Sequence, residues 1–309
     1  MTNKIVAIQG DSLNKLNPKT DTSIFLAKSA ENKGYKLFYY QPKNLSIVNR
    51  KVVAEGEFIK IDYSKKQFVK ILSKKKIDLS SVKFILIRQD PPFNLEYIST
   101  TYILDSISKK ARIINNPTAI RNVSEKLYSV NFNKFMTDTI FSRDIHEILK
   151  FFKKHKKIII KPIHSYGGND IHLLQNKFNK NLVNKFIKTH GHIVCQKFLE
   201  KIKYGDKRVF IINGKVCGAI SRVPKKGSYL SNMSKGAQPK LIKLTDKEIR
   251  ISKIIAAKLK RDNIYFAGID FIDQKLNGDI NVTSPTGLKT YFDLSKINLA
   301  NLFWKGLKA

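Results

Sequence analysis

Short apolar runs alternate with helically spaced apolar positions through the first third of the chain. The runs KIVAIQG, KLFYYQP and VKFILI are too short for helices and predict buried strands. Between the first two runs, the spacing predicts a helix that begins at Asp21 and ends near Gly34. Strands that alternate with helices are typical of an α/β domain with a largely parallel sheet, which we expect over residues 1–122.

The pattern changes in the rest of the chain. Strands are predicted at 158–161 and 193–198, on either side of a lysine-rich helix at 180–189. The runs KRVFIING and KVCGAISRV predict a hairpin, because the pair Asn213 and Gly214 between them favours a two-residue hairpin turn. This part of the chain therefore indicates an α+β arrangement.

Three further helices and one strand pair complete the prediction. The segment VSEKLYSVNF predicts a helix capped by Ser124, and TDKEIRISKIIAAKLKRDN predicts one capped by Thr245 or Asp246. The final segment LSKINLANLFWKGL is predicted to be helical. The runs IYFAGIDFID and DINVTSP predict two strands joined by residues 274–278.

Chain length and cysteine content limit the possible classes of protein. A chain of 309 residues is long enough for two or three domains around one cleft. No apolar run approaches the ~20 residues that span a bilayer, and the N-terminus lacks a signal-peptide pattern. Cys195 and Cys217 both lie in apolar runs and are expected to be buried, reduced thiols. We therefore expect a cytoplasmic protein without a membrane segment.

The net charge of +34 invites a nucleic-acid interpretation. However, only nine of the 58 basic residues are arginine, and the lysines are spread over the whole length. Specific base and phosphate contacts favour arginine. The composition therefore favours a solvated lysine surface that attracts anionic ligands by steering. A specific nucleic-acid surface is the less favoured alternative.

The stretch KIIIKPIHSYGGNDI at 157–171 contains the first candidate for a ligand site. A strand ends there at Lys161 and Pro162, and Gly167 and Gly168 follow shortly after. Paired glycines allow positive φ angles and let backbone N–H groups approach an anion. One interpretation is a lysine and a mobile loop directed at phosphate. The alternative is a plain turn with Lys161 in solvent.

Polar residues also end four strands of the second half, where apolar residues would continue them. Two of these ends offer oxygen donors, Asp270 on one and Asp279 with Asn281 on the other, and these suit Mg²⁺ together with phosphate oxygens and water. Arg208 and Arg222 would stabilise the negative charge that develops when a phosphoryl group is transferred. Each residue alone could be a surface charge near a turn. Together they provide the parts for phosphoryl transfer, the cations being Lys161, Arg208 and Arg222.

The order of these motifs resembles the ATP-grasp ligases, and among them the prokaryotic glutathione synthetase family. The shared motifs are SEKLYS, IIIKP with its glycine-rich loop, QKFLE, GDKRVFIINGKVCGAISRVP, GID and INVTSPT, with IRQDPPFNLEYISTTYILD in the N-terminal part. The resemblance implies an N-terminal α/β domain at 1–122 and two ATP-grasp lobes at 123–200 and 201–309. It also implies ATP, Mg²⁺ (with Mn²⁺ as a possible substitute), γ-glutamylcysteine and glycine, and a homo-oligomer.

The same resemblance assigns residues to the nucleotide and the metal. Phosphate contacts, a closing loop and the adenine hinge would come from Lys126, Lys161, Ser165, Tyr166, Gly167, Gly168, Gln196, Lys197, Phe198, Leu199, Glu200 and Asp206. The metal ligands would be Asp270, Asp279 and Asn281. Arg208 and Arg222 would hold an acyl-phosphate.

A further set would bind the peptide and the amine. It consists of Asp11, Arg88, Pro91, Pro92, Phe93, Asn232, Ser284, Pro285 and Thr286. The chain departs from the family pattern at His164 and Ser165 in the first loop and at Leu230 in the second lid, where the family carries a cation. Three alternatives follow: a ligase for another acid and amine, such as a glutamate-adding enzyme, a nucleic-acid-binding protein on a degenerate ligase fold, and a catalytically weakened paralogue.

Overall fold

The computed structural model describes residues 3–308, and its first sheet has seven strands. Strand order is β3-β4-β2-β1-β6-β7, with β5 on the other edge of β4. The strands are β1 (Asn3–Gln9), β2 (Lys36–Tyr40), β3 (Leu45–Val48), β4 (Lys51–Ile61), β5 (Val69–Asp78), β6 (Val82–Ile87) and β7 (Arg112–Ile114). The helices of this part are α1 (Thr22–Glu31), α2 (Leu95–Asp105) and α3 (Pro117–Asn122).

The parallel core of this sheet agrees with the prediction. Strand β1 runs parallel to β2 and β6, and β6 runs parallel to β7. The sequence did not predict the antiparallel arm of β3, β4 and β5 that joins the sheet at β2. Many lysines and exposed apolar residues along β5 obscure the alternation that would indicate a strand.

A second sheet lies within residues 139–197 and is antiparallel throughout. Its strands are β8 (Thr139–Ser142), β9 (Lys157–Pro162), β10 (His172–Gln175) and β11 (Ile193–Lys197), in the order β10-β9-β11-β8. Helices α4 (Ile145–His155) and α5 (Lys180–His190) bury Ile148, Phe152 and Phe186 in one core with the inner residues of β9. The predicted strands and the helix α5 are confirmed here.

The third sheet carries most of the polar strand ends. Its strands are β12 (Asp206–Ile212), β13 (Lys215–Val223), β14 (Gln238–Leu241), β15 (Phe266–Ile272) and β16 (Lys275–Asn281), in the order β14-β13-β12-β15-β16. Helices α6 (Asp246–Arg261), α7 (Leu288–Ser295) and α8 (Leu299–Gly306) complete the fold. The hairpin at Asn213 and Gly214 is confirmed, with φ of 50° and 71°. Thr245 caps α6 in a capping box with Glu248.

Three local predictions are wrong. The turn between β15 and β16 is formed by Asp273 and Gln274, both with positive φ, so residues 275–278 belong to β16. Gly278 takes positive φ inside that strand, opposite a register shift in β15. The segment after Ser124 is a 3₁₀ helix, Leu127–Phe135, without a side-chain cap. The final helix is two helices, separated by Lys296 in the left-handed conformation.

Helix α8 and one asparagine connect the first and third sheets. Trp304 is fully buried, packs against Phe84 and donates from Nε1 to the Leu26 carbonyl at 2.8 Å. Asn115 follows β7, and its side chain makes four hydrogen bonds to backbone groups of the third sheet and the segment after it. The two sheets are therefore held in a fixed relation beside the site. The division of the chain at 122 and 200 stays a prediction.

The helices and the two cysteines bear on the compartment in which the protein is found. None of the helices within residues 3–308 is long and apolar enough to cross a membrane. Cys195 is buried as expected, whereas Cys217 is only partly buried because it lies near the open end of β13. Both cysteines are free thiols.

Candidate active site

Four charged side chains lie side by side on one face of the third sheet. Asp206 pairs with Arg222 across β12 and β13, and Arg208 pairs with Asp270 across β12 and β15. Residues 206 and 208 face the same way because side chains alternate along a strand. Gly268 leaves room for this cluster, since a Cβ there would meet Arg208 Cδ at 2.8 Å.

These four groups form a closed ionic cluster. Both carboxylate oxygens of Asp270 accept from Arg208, and Oδ2 also accepts from Arg222 at 2.9 Å. Arg222 donates to both oxygens of Asp206, which also accepts from Ser231 at 2.6 Å. Burial alone would raise the pKa of Asp270, but the two guanidinium groups lower that pKa to about 2. Asp270 therefore stays ionised between two cations, whereas burial raises the pKa of Asp206 despite its contact with Arg222.

A second cluster forms around Asp279 on the neighbouring strand β16. Lys161 Nζ lies 3.2 Å from Asp279 Oδ2, and Lys126 Nζ lies 3.8 Å from Oδ1. Lys126 also donates to the Ser165 carbonyl at 2.5 Å, at the start of the glycine-rich loop. Both lysines are buried, so the interpretation that leaves Lys161 in solvent is wrong. Burial lowers the pKa of Lys126.

The oxygen donors near these lysines fit a divalent cation. Oδ1 of Asn281 is buried and lacks a hydrogen-bond partner, which is unusual for a buried amide oxygen. Asn281 and Asp279 lie on the same face of β16, and Asn281 pairs with Gly268, two residues from Asp270. Within residues 3–308, no cluster of three His, Cys, Asp or Glu residues could hold a metal. A site here therefore rests on two carboxylates, one amide oxygen and ligand oxygens.

The glycine-rich loop and the segment 225–236 touch each other. Gly168 has φ of 75°, and a Cβ there would lie 2.4 Å from Asn232 Oδ1. Lys235 Nζ donates to Asn169 Oδ1 at 2.7 Å, and the Tyr229 hydroxyl donates to the Ile171 carbonyl at 3.2 Å. The two segments are therefore in contact with each other, and the glycine-rich loop also contacts Lys126. Tyr166 stays largely exposed on this loop.

The predicted hinge lies at the end of β11. Gln196 is buried and donates to Thr139, and the backbone N–H of Phe198 donates to the Lys157 carbonyl. Lys157 Nζ lies 2.6 Å from Glu200 and 4.4 Å from the centre of the Phe198 ring. Lys197 is exposed and Leu199 is half-buried. Asp206, expected with this group, instead lies in the arginine cluster.

Arg88 anchors the N-terminal side of the site. Its guanidinium donates to Ser23 at 3.0 Å and to the Pro285 carbonyl at 2.9 Å, while Ser284 donates to the Arg88 carbonyl at 3.2 Å. Asp11 accepts from the backbone of residue 90 at 2.8 Å. The two predicted substrate segments, 88–93 and 284–286, are therefore in direct contact. Pro92 and Thr286 are exposed at their ends.

A cleft opens between the N-terminal part and the glycine-rich loop. Its lining combines the expected Pro91, Phe93, Ser165 and Tyr166 with residues that sequence reasoning missed. The most informative of these is Glu125, whose Oε1 accepts from the Thr283 hydroxyl at 2.6 Å. The remaining lining residues are Val123, Ser124, Ile163, His164 and Thr283. The only sequence signal for Glu125 was its place directly before Lys126.

Fold and site together define a ligase of the ATP-grasp class. The crystal structure of D-cycloserine synthetase DcsG aligns over 98% of both chains, with a TM-score of 0.68 and 12% identity. The ATP-grasp ligase PsnB aligns over 99% of this chain and 98% of its own, with a TM-score of 0.66 and 12% identity. At this identity the likeness shows the shared fold, and the expected α/β and ATP-grasp fold class is confirmed.

The chain belongs to the prokaryotic glutathione synthetase family. Models of that family's N-terminal domain and ATP-grasp domain match residues 5–121 and 125–295. Glutathione synthetase of Rhodopseudomonas palustris is 34% identical over 307 residues, 98% of both chains. That of Buchnera aphidicola subsp. Schizaphis graminum is 32% identical over 286 residues, covering 91% of this chain and 89% of the relative. The protein is thus an enzyme of ATP-dependent glutathione synthesis, and uses ATP with a divalent metal ion.

Proposed function

We propose that this site joins the cysteinyl carboxylate of γ-glutamylcysteine to the amine of glycine, through an acyl-phosphate, with release of ADP and phosphate. The observation that carries the proposal is the convergence of Lys126 and Lys161 on Asp279, at 3.8 and 3.2 Å, beside the unpartnered oxygen of Asn281. An amine cannot displace oxide from a carboxylate, because oxide is a poor leaving group. Transfer of the γ-phosphoryl group provides a better leaving group.

In this proposal the residues position anions and offset their repulsion. Lys126 and Lys161 hold the phosphates, and Arg208 and Arg222 face the acyl-phosphate. Asp279 and Asn281, with Asp270, would hold Mg²⁺, which would offset the negative charge of the phosphates. Mn²⁺ could replace it because it accepts the same oxygen ligands. The paired segments around Gly168 and Asn232 exclude the water that would hydrolyse the intermediate.

Substrate binding, the assembly and the compartment complete the proposal. The adenosine end lies along 196–200, and the peptide lies between Asp11, Arg88 and 91–93. The amine lies near 284–286. The enzyme works in the cytoplasm as a homo-oligomer, and its two free thiols are compatible with a reducing compartment.

The test is release of phosphate and formation of glutathione by the purified protein, with each component omitted in turn. Product should require ATP, Mg²⁺, γ-glutamylcysteine and glycine together. ADP formation without either substrate would contradict the proposal.

A second candidate function has one specific observation in its favour. Leu230 is half-buried in the second lid where the family carries a cation, so the lid offers one positive charge fewer to a substrate carboxylate. A different acid and amine pair would then be the substrates. A panel of amino acids in place of glycine separates the two: glycine should give the highest kcat/KM.

A further inference from the structure

Glu125 is a charged residue of the cleft to which the proposed function assigns no role. It lines the cleft together with Pro91, Phe93 and the start of the glycine-rich loop. The next residue in the chain is Lys126, whose ammonium group reaches Asp279. The carboxylate of Glu125 therefore borders both the open cleft and the phosphate-binding centre of the proposed function.

The side chain of Glu125 is held at one oxygen and free at the other. Oε1 accepts from the Thr283 hydroxyl at 2.6 Å and from the Thr283 backbone N–H at 3.4 Å. Its backbone carbonyl accepts from Ile280 at 2.9 Å, which fixes the chain along the end of β16. Within residues 3–308, Oε2 receives no hydrogen bond. One oxygen thus orients the group, and the other is available to a ligand.

We infer that Glu125 binds the ammonium group of the amine substrate through Oε2 and accepts its proton. This inference rests on the proposed function and adds a catalytic residue to it. The ammonium N–H bond breaks and the proton moves to the carboxylate. The nitrogen lone pair then forms a C–N bond with the acyl-phosphate carbonyl, the C–O bond to phosphate breaks, and phosphate leaves with that electron pair. The departing phosphate takes the second proton from the nitrogen, which leaves a neutral amide.

The surroundings of Glu125 favour this role. Burial raises the pKa of its carboxyl, although Thr283 and Lys126 oppose that shift, so the group is a stronger base than an exposed glutamate. Two other titratable residues line the cleft, His164 and Tyr166, and burial of the ring together with Lys126 lowers the pKa of His164. A lowered pKa makes the His164 imidazole a weaker base.

The test compares two nucleophiles in Glu125→Gln. Glutamine keeps an oxygen for Thr283 but loses the charge and the basicity. With glycine, kcat should fall about 100-fold or more, because general-base catalysis is removed. Hydroxylamine is unprotonated at neutral pH and needs no base. Hydroxamate formation from γ-glutamylcysteine and ATP should therefore stay within about threefold of the wild-type rate.

Three controls make the result decisive. Glu147→Gln changes an exposed glutamate on α4 that pairs with Lys150, and should leave both rates unchanged. If Glu125→Gln retains the glycine rate, or loses both reactions equally, the inference is wrong. It is also wrong if His164→Gln shows the selective loss instead. A wild-type protein that forms hydroxamate but no product with glycine would contradict the proposed function itself, and the inference with it.

Discussion

At the scale of single residues, the site is defined by charges that are buried in pairs. Arg208, Arg222, Asp206 and Asp270 would each be costly to bury alone, and each is acceptable because the cluster is neutral as a whole. Among the described residues, Lys126 and Lys161 form ion pairs with one shared carboxylate, that of Asp279. This second group therefore carries an excess of positive charge, which suits a site that must receive phosphate.

Asp270→Asn should affect activity and stability together. Arg208 would lose its only acidic partner among the described residues, and a proposed metal ligand would be lost. We expect turnover to fall at least about 100-fold and the free energy of unfolding to fall by about 3 kcal/mol. Rates at saturating Mg²⁺ and urea unfolding measure the two effects.

The matched control for this prediction is Asp273→Asn. Asp273 lies three residues further along, in the turn after β15, and pairs with Lys201 at the surface. Asparagine tolerates its φ of 47°. This variant should behave as wild type. Full activity of Asp270→Asn would contradict both the metal assignment and the role of the ionic cluster.

Glu125 should make stability depend on pH. Its folded pKa is raised above the ordinary 4.5, so the folded state binds the proton more tightly than the unfolded state. Stability from this group is present below pH ~4.5 and falls as pH rises through the raised pKa. Glu125→Gln should therefore gain stability relative to wild type between pH 4 and pH 7, as measured by urea unfolding across about that range. If the difference in unfolding free energy between Glu125→Gln and wild type does not change with pH over that range, the pKa of Glu125 is ordinary.

At the scale of elements, local sequence and long-range contact contribute in different ways. The Asn213 and Gly214 turn and the Thr245 cap could be predicted because neighbouring residues determine them. The β15–β16 turn could not be predicted from neighbouring residues. Asn277 and Gly278 are the residue pair typical of a hairpin turn, but both lie inside β16. Pairing with β15 and the bulge at Gly278 override the local preference there.

The two lid segments should close as one unit. Gly168→Ala adds a Cβ at φ of 75° that would lie 2.4 Å from Asn232 Oδ1, so the segments would separate. We expect kcat to fall about 10-fold or more, with ADP released without glutathione as water enters. Coupled measurement of ADP and glutathione detects the change.

Gly191→Ala serves as the comparison for backbone strain alone. Its φ is 70°, and a Cβ there would meet no atom within 4 Å. It should lose about 1 kcal/mol of stability and keep full kcat. Equal kinetic effects in both variants would mean that lid contact is not the cause.

The connection between sheets should depend on Asn115. Asn115→Ala leaves the N–H groups of Tyr265 and Phe266 and two carbonyls without their partner, so the free energy of unfolding should fall by about 3 kcal/mol or more. Asn116→Ala removes only the cap of α3 and should cost about 1 kcal/mol. Urea unfolding compares the two, and equal losses would argue against a role of Asn115 between the sheets.

At the scale of the whole molecule, the charge of +34 should act on rates of encounter. The substrates ATP and the peptide are anions, so a field of lysines raises their local concentration. Raising ionic strength from ~0.01 M to ~1 M shortens the Debye length from about 30 Å to about 3 Å. We expect kcat/KM to fall severalfold over this range, with kcat nearly constant. Steady-state kinetics at several salt concentrations measures both, and parallel loss of kcat would indicate damage to the site.

The sequence by itself determined the candidate groups, because their residue types and their positions at strand ends are local properties. Only the tertiary structure decided which groups meet: Lys161 and Asp279 are 118 residues apart, and Glu125 and Thr283 are 158 apart. Those contacts depend on sheet order, on the bulge in β16 and on the packing of the N-terminal part against the third sheet. A shift of one residue in register would turn each side chain to the opposite face, so no local pattern could have specified them.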